Sequence, residues 1–320
     1  MYFIEQSADI LALFLLVVVL LSVFARWHWC FSLLTQFTPQ YFYGGLILAV
    51  AHLCFGNVVS AALLVGIAGF IFIKIQKPRY KAPRPSGTLP NFTFSMYNKY
   101  CFNQRYDEIY STLKNADVVL IVEALQEDEA PLKNAFKNTH PYFLPKGVRR
   151  PDFIFPISKY KIESLAYKAL ASDICFTKGM RFCVQPDGMD VPITIYTLHT
   201  EIPITKHKSA IQKAEMAAMA EWIKHDVAEN GWKNVIFAGD WNTTPYAPVY
   251  QDMLAVTGLK NQSFGIIPTG SWPSFLYLPI LKIPIDHILF MGDLVLCNFK
   301  KSNANGSDHH SLIAQFCMKP

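Results

Sequence analysis

Apolar residues in this 320-residue chain follow two different patterns, and the change comes near residue 86. Residues 10–25 (ILALFLLVVVLLSVFA) form one unbroken apolar run, and residues 27–73 contain no Asp, Glu, Lys or Arg. Runs that are apolar all round show no solvent face, so they do not read as amphipathic helices of a soluble core. With about 20 helical residues needed per bilayer crossing, 10–25 predicts one span and 38–73 is too long for a second simple one. Phe55, Gly56 and Asn57 offer a tight turn that divides the second stretch into helices near 40–54 and 58–73. Three spans is the preferred reading, and one long tilted second span is the alternative. Arg26, Trp27 and Trp29 form a basic and aromatic flank suited to a bilayer interface. A cleaved signal peptide would want a basic start, whereas Glu5 and Asp9 precede the first run without a Lys or Arg.

Residues 74–86 (KIQKPRYKAPRPS) end this regime with five positive charges and three prolines, a composition for an extended linker. The organisation expected is therefore a transmembrane helical module over 1–75 with two or three spans, a basic Pro-rich juxtamembrane linker over 76–89, and a catalytic domain over 90–320. In that last part, short strand-like runs recur with a polar group at or just past the end. Residues 91–98 (NFTFSMYN) finish at Asn98, 117–123 (DVVLIVE) at Glu123, 193–199 (ITIYTLH) at His199, and 235–242 (VIFAGDWN) at Asp240 and Asn242. Asp286 and His287 open another apolar run, and GSDH at 306–309 precedes a last one. Residues 209–229 and 106–114 have helical character. Polar groups gathered at strand ends converge on one rim of a sheet, where an α/β fold builds a site.

Charge divides at the same point. Six of the 29 Lys and Arg, but only two of the 24 acids, precede Ser86, so residues 86–320 carry 23 basic and 22 acidic side chains. The overall +5 belongs to the membrane flank and is not a footprint of nucleic-acid binding by the domain. No basic insertion or aromatic-basic stripe of a groove-reading nuclease is present. The seven cysteines are odd in number and show no CxxC spacing, which predicts free thiols rather than a disulfide framework or a zinc site.

The residue types favour one chemistry. Glu, Asp and Asn are hard oxygen ligands that suit Mg²⁺ or Mn²⁺. Histidines beside carboxylates serve as base or phosphate-binding cation. Without a serine elbow or a reactive thiol, water is the expected nucleophile. Each piece alone has a plainer reading. Glu123 could be a surface acid ending a strand, GDWN a turn, Ser307-Asp308-His309 a loop closure, and His199 a satisfied, half-buried histidine. His287 and His310 read as structural; Asp293, His140, His207 and His225 read as ordinary surface residues.

Taken in order and spacing, YN, E, H, GDWN, IDHI and GSDH resemble the endonuclease/exonuclease/phosphatase superfamily over about residues 90–317. GDWN and GSDH with Ile-Asp-His-Ile between them are the most specific part. Gly270-Ser271-Trp272-Pro273 is similar to bacterial members with an N-terminal membrane module. The resemblance implies a four-layer α/β sandwich, two packed mixed β-sheets flanked by helices, here preceded by the transmembrane helical segment. It implies Glu123 as principal metal ligand with Asn98 beside it and Asp308 near the metal. Asp240 would position or deprotonate the attacking water, and Asn242 would hold a phosphate oxygen. His309 would be general base or phosphate-orienting imidazole with its tautomer fixed by Asp286, and His199 would contact the scissile phosphate. Two departures stand out: Val122 occupies a position where the family often has Gln, and Leu198-His199-Thr200 replaces an Asn-Thr-His form.

The expected activity is metal-dependent hydrolysis of a phosphodiester or phosphomonoester at a membrane, with Mg²⁺ or Mn²⁺ as cofactor. The substrate is a phospholipid headgroup, a nucleic acid or a sugar phosphate, and the bilayer itself is a partner. Tethering favours the lipid, and the near-neutral domain disfavours long duplex DNA. A non-catalytic binding module that kept the fold is the alternative, and it would tolerate loss of an acid or histidine. A transporter or channel is excluded by at most three spans with no Asp, Glu, Lys or Arg inside them. The basic 74–84 cluster and Arg26 share the domain's side in either topology, so the domain is expected in the cytoplasm of a bacterial-type inner membrane.

Overall fold

A computed structural model describes residues 2–76, 92–144, 153–170, 178–261 and 270–319. The expected linker over 76–89 lies outside these residues except for Gln76.

The apolar regime forms helices α1 (Tyr2–Val23), α2 (Trp29–Leu34), α3 (Thr38–Cys54) and α4 (Val58–Gln76). The chain turns between α3 and α4 at Phe55-Gly56-Asn57, where Gly56 adopts a left-handed φ of 81° that a side chain would resist. Asn57 then accepts from the Ser60 amide at the start of α4. Two stretches, Phe3–Val23 and Val58–Gln76, are long and apolar enough to cross a bilayer; the 17 residues of α3 span about 25 Å at 1.5 Å each. The inward seam is narrow: Leu15, Val18, Val19, Ala49, Leu64 and Ile71 pack together, while Ile10, Leu13, Phe14, Val59 and Leu63 face outward.

The second regime builds two mixed sheets. One contains β1 (Phe92–Asn98), β2 (Val118–Ala124), β3 (Tyr142–Phe143), β4 (Phe153–Ser158), β10 (Leu294–Lys301) and β11 (Leu312–Met318), in the order β10-β11-β1-β2-β4-β3. The other orders β5 (Glu163–Ala169), β6 (Lys178–Val184), β7 (Ile193–Thr197), β8 (Asn234–Asp240) and β9 (Asp286–Met291) consecutively. β1 runs parallel to β2 and β7 parallel to β8; the remaining pairs are antiparallel.

The period of two in each strand sorts its side chains between faces. Phe94, Met96, Leu120 and Val122 of the first sheet meet Phe182, Ile195, Ile236 and Ile288 of the second in the central core. The opposite faces are covered by helices. Tyr97, Val119 and Ile121 pack on α5 (Tyr106–Leu113) and α6 (Glu129–Phe136). Tyr196, Val235 and Phe237 pack on α7 (Lys206–Asn230) and α8 (Pro248–Thr257). Helices, sheet, sheet and helices make the four layers expected from the sequence.

Two readings are corrected, and one helix proves longer than the stretch read for it. Cys297 and Cys317 form a disulfide between adjacent strands β10 and β11, with Cα atoms 5.9 Å apart; Cys297 sits in a register shift between Leu296 and Asn298. The sequence spacing gave no sign of this, because strand pairing rather than a motif brings them together. His140 is buried rather than superficial: its Nε2 pairs with the Ala116 carbonyl at 2.9 Å, and burial pushes its pKa down. The helix read over 209–229 begins earlier, at Lys206, because Thr205 caps it by accepting from the Lys208 amide.

The two regions are in contact. Gln36, at the turn before α3, donates to Thr243 Oγ1 at 3.2 Å and accepts from the Thr244 amide at 2.7 Å. Gln40 donates to the carbonyls of Ile280 and Lys282, and Arg26 pairs with Asp252.

Candidate active site

β1, β2, β8 and β9 deliver their polar ends to one cleft. Asn98 is the last residue of β1, and Asp240 the last of β8. Asp286 opens β9 directly opposite Asp240 in the antiparallel register, which forces these two acids together. Glu123 lies in β2 at an irregularity between Val122 and Ala124, with a left-handed φ of 58°. Non-glycine residues in that region carry strain that surrounding contacts must hold. Gly239 permits the approach of β8 to the strand before it: an added Cβ would lie 1.8 Å from the Leu198 carbonyl oxygen.

The buried Asn98 amide organises the acids. Its Nδ2 donates to Glu123 Oε1 at 2.8 Å and to Asp240 Oδ2 at 2.9 Å, while its Oδ1 accepts from the Tyr100 amide. In this orientation Asn98 aligns the two carboxylates and turns its oxygen away from them. Glu123 Oε2 accepts from the Cys101 amide. The buried Lys99 ties down the same loop, donating to the carbonyls of Tyr100, Cys101 and Asn103 and pairing with Asp128 at 2.9 Å. These supporting contacts were not read from the sequence, although Lys99 directly follows the YN motif.

Two histidines flank Asp240. His199 Nε2 lies 3.9 Å from both Glu123 Oε1 and Asp240 Oδ2. His309 Nε2 lies 3.7 Å from Asp240 Oδ2, and its Nδ1 is 2.7 Å from Asp286 Oδ2. The GSDH loop is clipped to β1, since Ser307 Oγ donates to the Asn98 carbonyl and accepts from the His309 amide. Gly306, at φ 86°, makes the turn. Burial opposes charge on His309, but Asp286, Asp240 and Asp308 outweigh it and raise its pKa to about 10. Asp240 is pushed upward by burial first and by Asp286 second, against the lowering effects of His309 and His199.

The remaining candidates lie at the edges of this group. Asn242, at φ 47°, donates its side-chain amide to the Thr200 carbonyl, and its backbone amide bonds Asp240 Oδ1. Asp308 lines the same cleft, and its Oδ2 accepts from the Trp272 indole at 3.1 Å. His287 is buried beside Thr243 with its pKa pushed to about 4 by burial, and His310 faces Lys282 and Ser302. Both have the structural surroundings expected.

The donor set fits a hard divalent cation. Ligand atoms of Glu123, His199 and Asp240 lie within 4.8 Å of one another, as do those of Asp240, Asp286 and His309. Separations of 3.9 Å are spanned by an ion with bonds of about 2.1 Å to each side. Asp286 Oδ1 is buried without a hydrogen-bond partner among the described residues, a costly state for a carboxylate unless something positive approaches. The cleft has a volume of about 710 Å³. Its other walls were not foreseen: Leu33 and Gln36 from the helical module, Phe153 and Ile154 from β4, Ile202 and Ile204 after β7, and Ile283 and Ile285 before β9.

The sequence pattern of the Endonuclease/Exonuclease/phosphatase family matches residues 97–309. No curated protein sequence matches the chain. Among solved structures, truncated Caenorhabditis elegans TDP2 is similar with a TM-score of 0.56 and 16% identity, covering 70% of this chain and 96% of that one. Sphingomyelinase C from Streptomyces griseocarneus has a TM-score of 0.53 and 16% identity, covering 71% and 99%. A Staphylococcus aureus beta toxin mutant with bound magnesium ions has a TM-score of 0.53 and 16% identity, covering 70% and 99%. At these identities the likeness concerns the fold alone.

Proposed function

The chain belongs to the endonuclease/exonuclease/phosphatase family, and from that premise we propose that it is a membrane-anchored phosphoesterase that hydrolyses a phosphodiester or phosphomonoester with divalent-metal-assisted water. The observation that carries this reading is the Asn98 amide bridging Glu123 and Asp240 at 2.8 and 2.9 Å, with His199 and the His309–Asp286 pair on either side.

Glu123, His199 and Asp240 would hold the cation, with Asp286 and Asp308 near it. Bound there, Mg²⁺ or Mn²⁺ supplies Lewis acidity and eases the deprotonation of water. Asp240 would orient that water or take its proton, with its carboxylate held beside Glu123 by the Asn98 amide and opposite Asp286 in the strand pair. Asp286 fixes His309 with Nδ1–H toward the carboxylate and Nε2 toward the cleft. A His309 held protonated by its acids offers positive charge to the developing charge on a phosphate oxygen. His199 faces the same space, and the Asn242 amide borders it. A retained fold without activity is less well supported, since every acid and histidine of the expected set is filled.

The helices α1 and α4 would anchor the domain, with α3 as a third crossing. The orientation we read is cytoplasmic, from the positive-inside rule applied to Arg26 and the 74–84 cluster. The Cys297–Cys317 disulfide lends that side no support, because such bonds persist in oxidising compartments. Orientation therefore rests on charge asymmetry alone. A reporter fused after Pro320 tests it: a fluorescent fusion and silent alkaline phosphatase are expected, and the reverse pattern puts the domain outside.

The activity is tested on the full chain in micelles with bis(p-nitrophenyl) phosphate and p-nitrophenyl phosphate. Hydrolysis of at least one is expected with Mg²⁺ or Mn²⁺ and none after EDTA. Undiminished activity in the stripped protein would sink the metal-dependent reading.

A further inference from the structure

The cleft is built from two materials. Its floor is the carboxylate and histidine cluster. Its walls are mostly apolar, with Thr200, Glu201 and Gln36 among them, and part of them comes from the helical module: Leu33 and Gln36 stand on the same cavity as Glu123 and His309. Ile202 and Ile204 lie along the wall and are 49% and 60% exposed, so apolar surface continues from the floor out to the rim. Among the described residues no Lys or Arg lines the cleft.

Such walls select against a polyanion. A nucleic-acid strand carries a phosphate at every step, and proteins that bind it line the path with basic side chains. A small sugar phosphate would leave hydroxyls facing Leu33, Ile204 and Ile283 without partners, and each such burial is costly. A phosphate ester with a hydrocarbon substituent satisfies both surfaces. The position of the module gives its source. Gln36 bonds Thr243 and Thr244, two residues past Asn242, and Gln40 bonds Ile280 and Lys282 beside the wall residue Ile283. The end of the apolar bundle that carries the start of α3 is thus fastened at the mouth of the cleft. Exposed Phe37 and Leu281 lie at this junction.

We propose that the substrate is a bilayer-resident lipid phosphate ester, whose phosphate lies over Glu123, Asp240 and His309 and whose hydrocarbon runs along Leu33, Ile202, Ile204 and Ile283 toward the membrane. This rests on the phosphoesterase reading above and narrows its substrate class. The helical module is then a wall of the binding site as well as an anchor.

The test uses the full chain reconstituted in phosphatidylcholine vesicles that contain phosphatidic acid or phosphatidylglycerol, a monoester and a diester. Their acyl-free counterparts, glycerol 3-phosphate and glycerophosphoglycerol, are assayed in parallel with Mg²⁺, together with a single-stranded oligonucleotide and bis(p-nitrophenyl) phosphate. The expected result is kcat/KM for one of the lipids at least about tenfold above its acyl-free counterpart, the gain from burying two or more methylenes. Ile204→Asp, and Ile202→Asp as a second variant, are expected to lower the ratio of lipid to bis(p-nitrophenyl) phosphate hydrolysis at least about tenfold. Both positions are half exposed, so the fold tolerates the change. Acyl-free esters or the oligonucleotide turned over as fast as the lipids would overturn the proposal, as would an unchanged ratio in both variants. Hydrolysis of bis(p-nitrophenyl) phosphate without hydrolysis of either lipid defeats this inference but leaves the phosphoesterase reading standing. No hydrolysis of any compound defeats both.

Discussion

The helical module and the sandwich use the same apolar residue types and place them on opposite sides. In the sandwich, Phe94, Leu120, Ile195 and Ile236 lie fully buried between the sheets. In the module, Leu13 is 62% exposed, Phe14 64% and Val59 73%. Water drives the first arrangement; the second leaves an apolar surface of an extent unusual on a soluble monomer, which is what the proposed membrane anchor accounts for. Polar residues are inverted too. The sandwich gathers them at strand ends around a cleft, whereas in the module Gln36, Gln40 and Arg26 lie at the junction with the domain. With the proposed anchor, the boundary between two solvents runs close to the candidate active site.

The largest expected effect sets the two cores side by side. Leu120→Ala removes a side chain that is fully buried in the central core. It should destabilise the domain by about 2.7–5 kcal/mol, the range for buried leucines. Leu13→Ala, on the outer face of α1, should change stability in micelles by less than about 0.5 kcal/mol, as for exposed positions. Chemical denaturation of the full chain in one detergent measures both. If Leu13→Ala cost as much as Leu120→Ala, α1 would be a core helix of a soluble protein and the contrast would fail.

The next effect separates a functional polar cluster from a merely satisfied one. His309→Ala should lower turnover at least about 10²-fold, in the range for acid–base groups, equivalent to about 2.7 kcal/mol of transition-state stabilisation. The melting temperature should fall, because the buried Asp286 carboxylate loses its partner, so turnover is compared below the variant's unfolding transition. A folded His309→Ala with near-normal turnover would leave the cluster without a catalytic role. Asp286→Asn probes the same pair from the other side, since it keeps the shape and removes the charge that holds His309 protonated.

The sequence showed one side of this contrast more fully than the other. Strands ending at Asn98 and Asp240 were legible because a period-two or continuous apolar run meets a polar stop there. The division of the second apolar stretch was legible in Phe55-Gly56-Asn57, where the turn indeed falls. Less of the sandwich edge could be read. β5 is a half-exposed strand whose residues, ESLAYKA, do not alternate cleanly, and its pairing with β6 decides its state. The site's acids were legible by type and spacing, but their mutual arrangement was not. That Asn98 turns its amide hydrogens to Glu123 and Asp240, and that Asp308 bonds Trp272, depends on how the two sheets cross. Leu33 and Gln36 carried no signal at all, because their role arises from docking between the regions.

That docking gives the smallest expected effect and the most direct test of the boundary. Gln36 is 7% exposed, and its two bonds reach residues with no exposure, Thr243 and Thr244. Gln36→Ala would leave the Thr244 amide buried without an acceptor, a loss of about 1–3 kcal/mol. Gln36→Glu keeps an acceptor for that amide but loses the donor to Thr243, so it should recover part of the loss. The two threonines follow Asn242 directly, so a looser junction should also reach the GDWN loop and reduce kcat modestly. Thermal unfolding and kinetics of the full chain in micelles read both effects. A Gln36→Ala protein as stable as the wild type, with unchanged kcat, would mean that the module merely rests against the domain, and the two regions would be independent units.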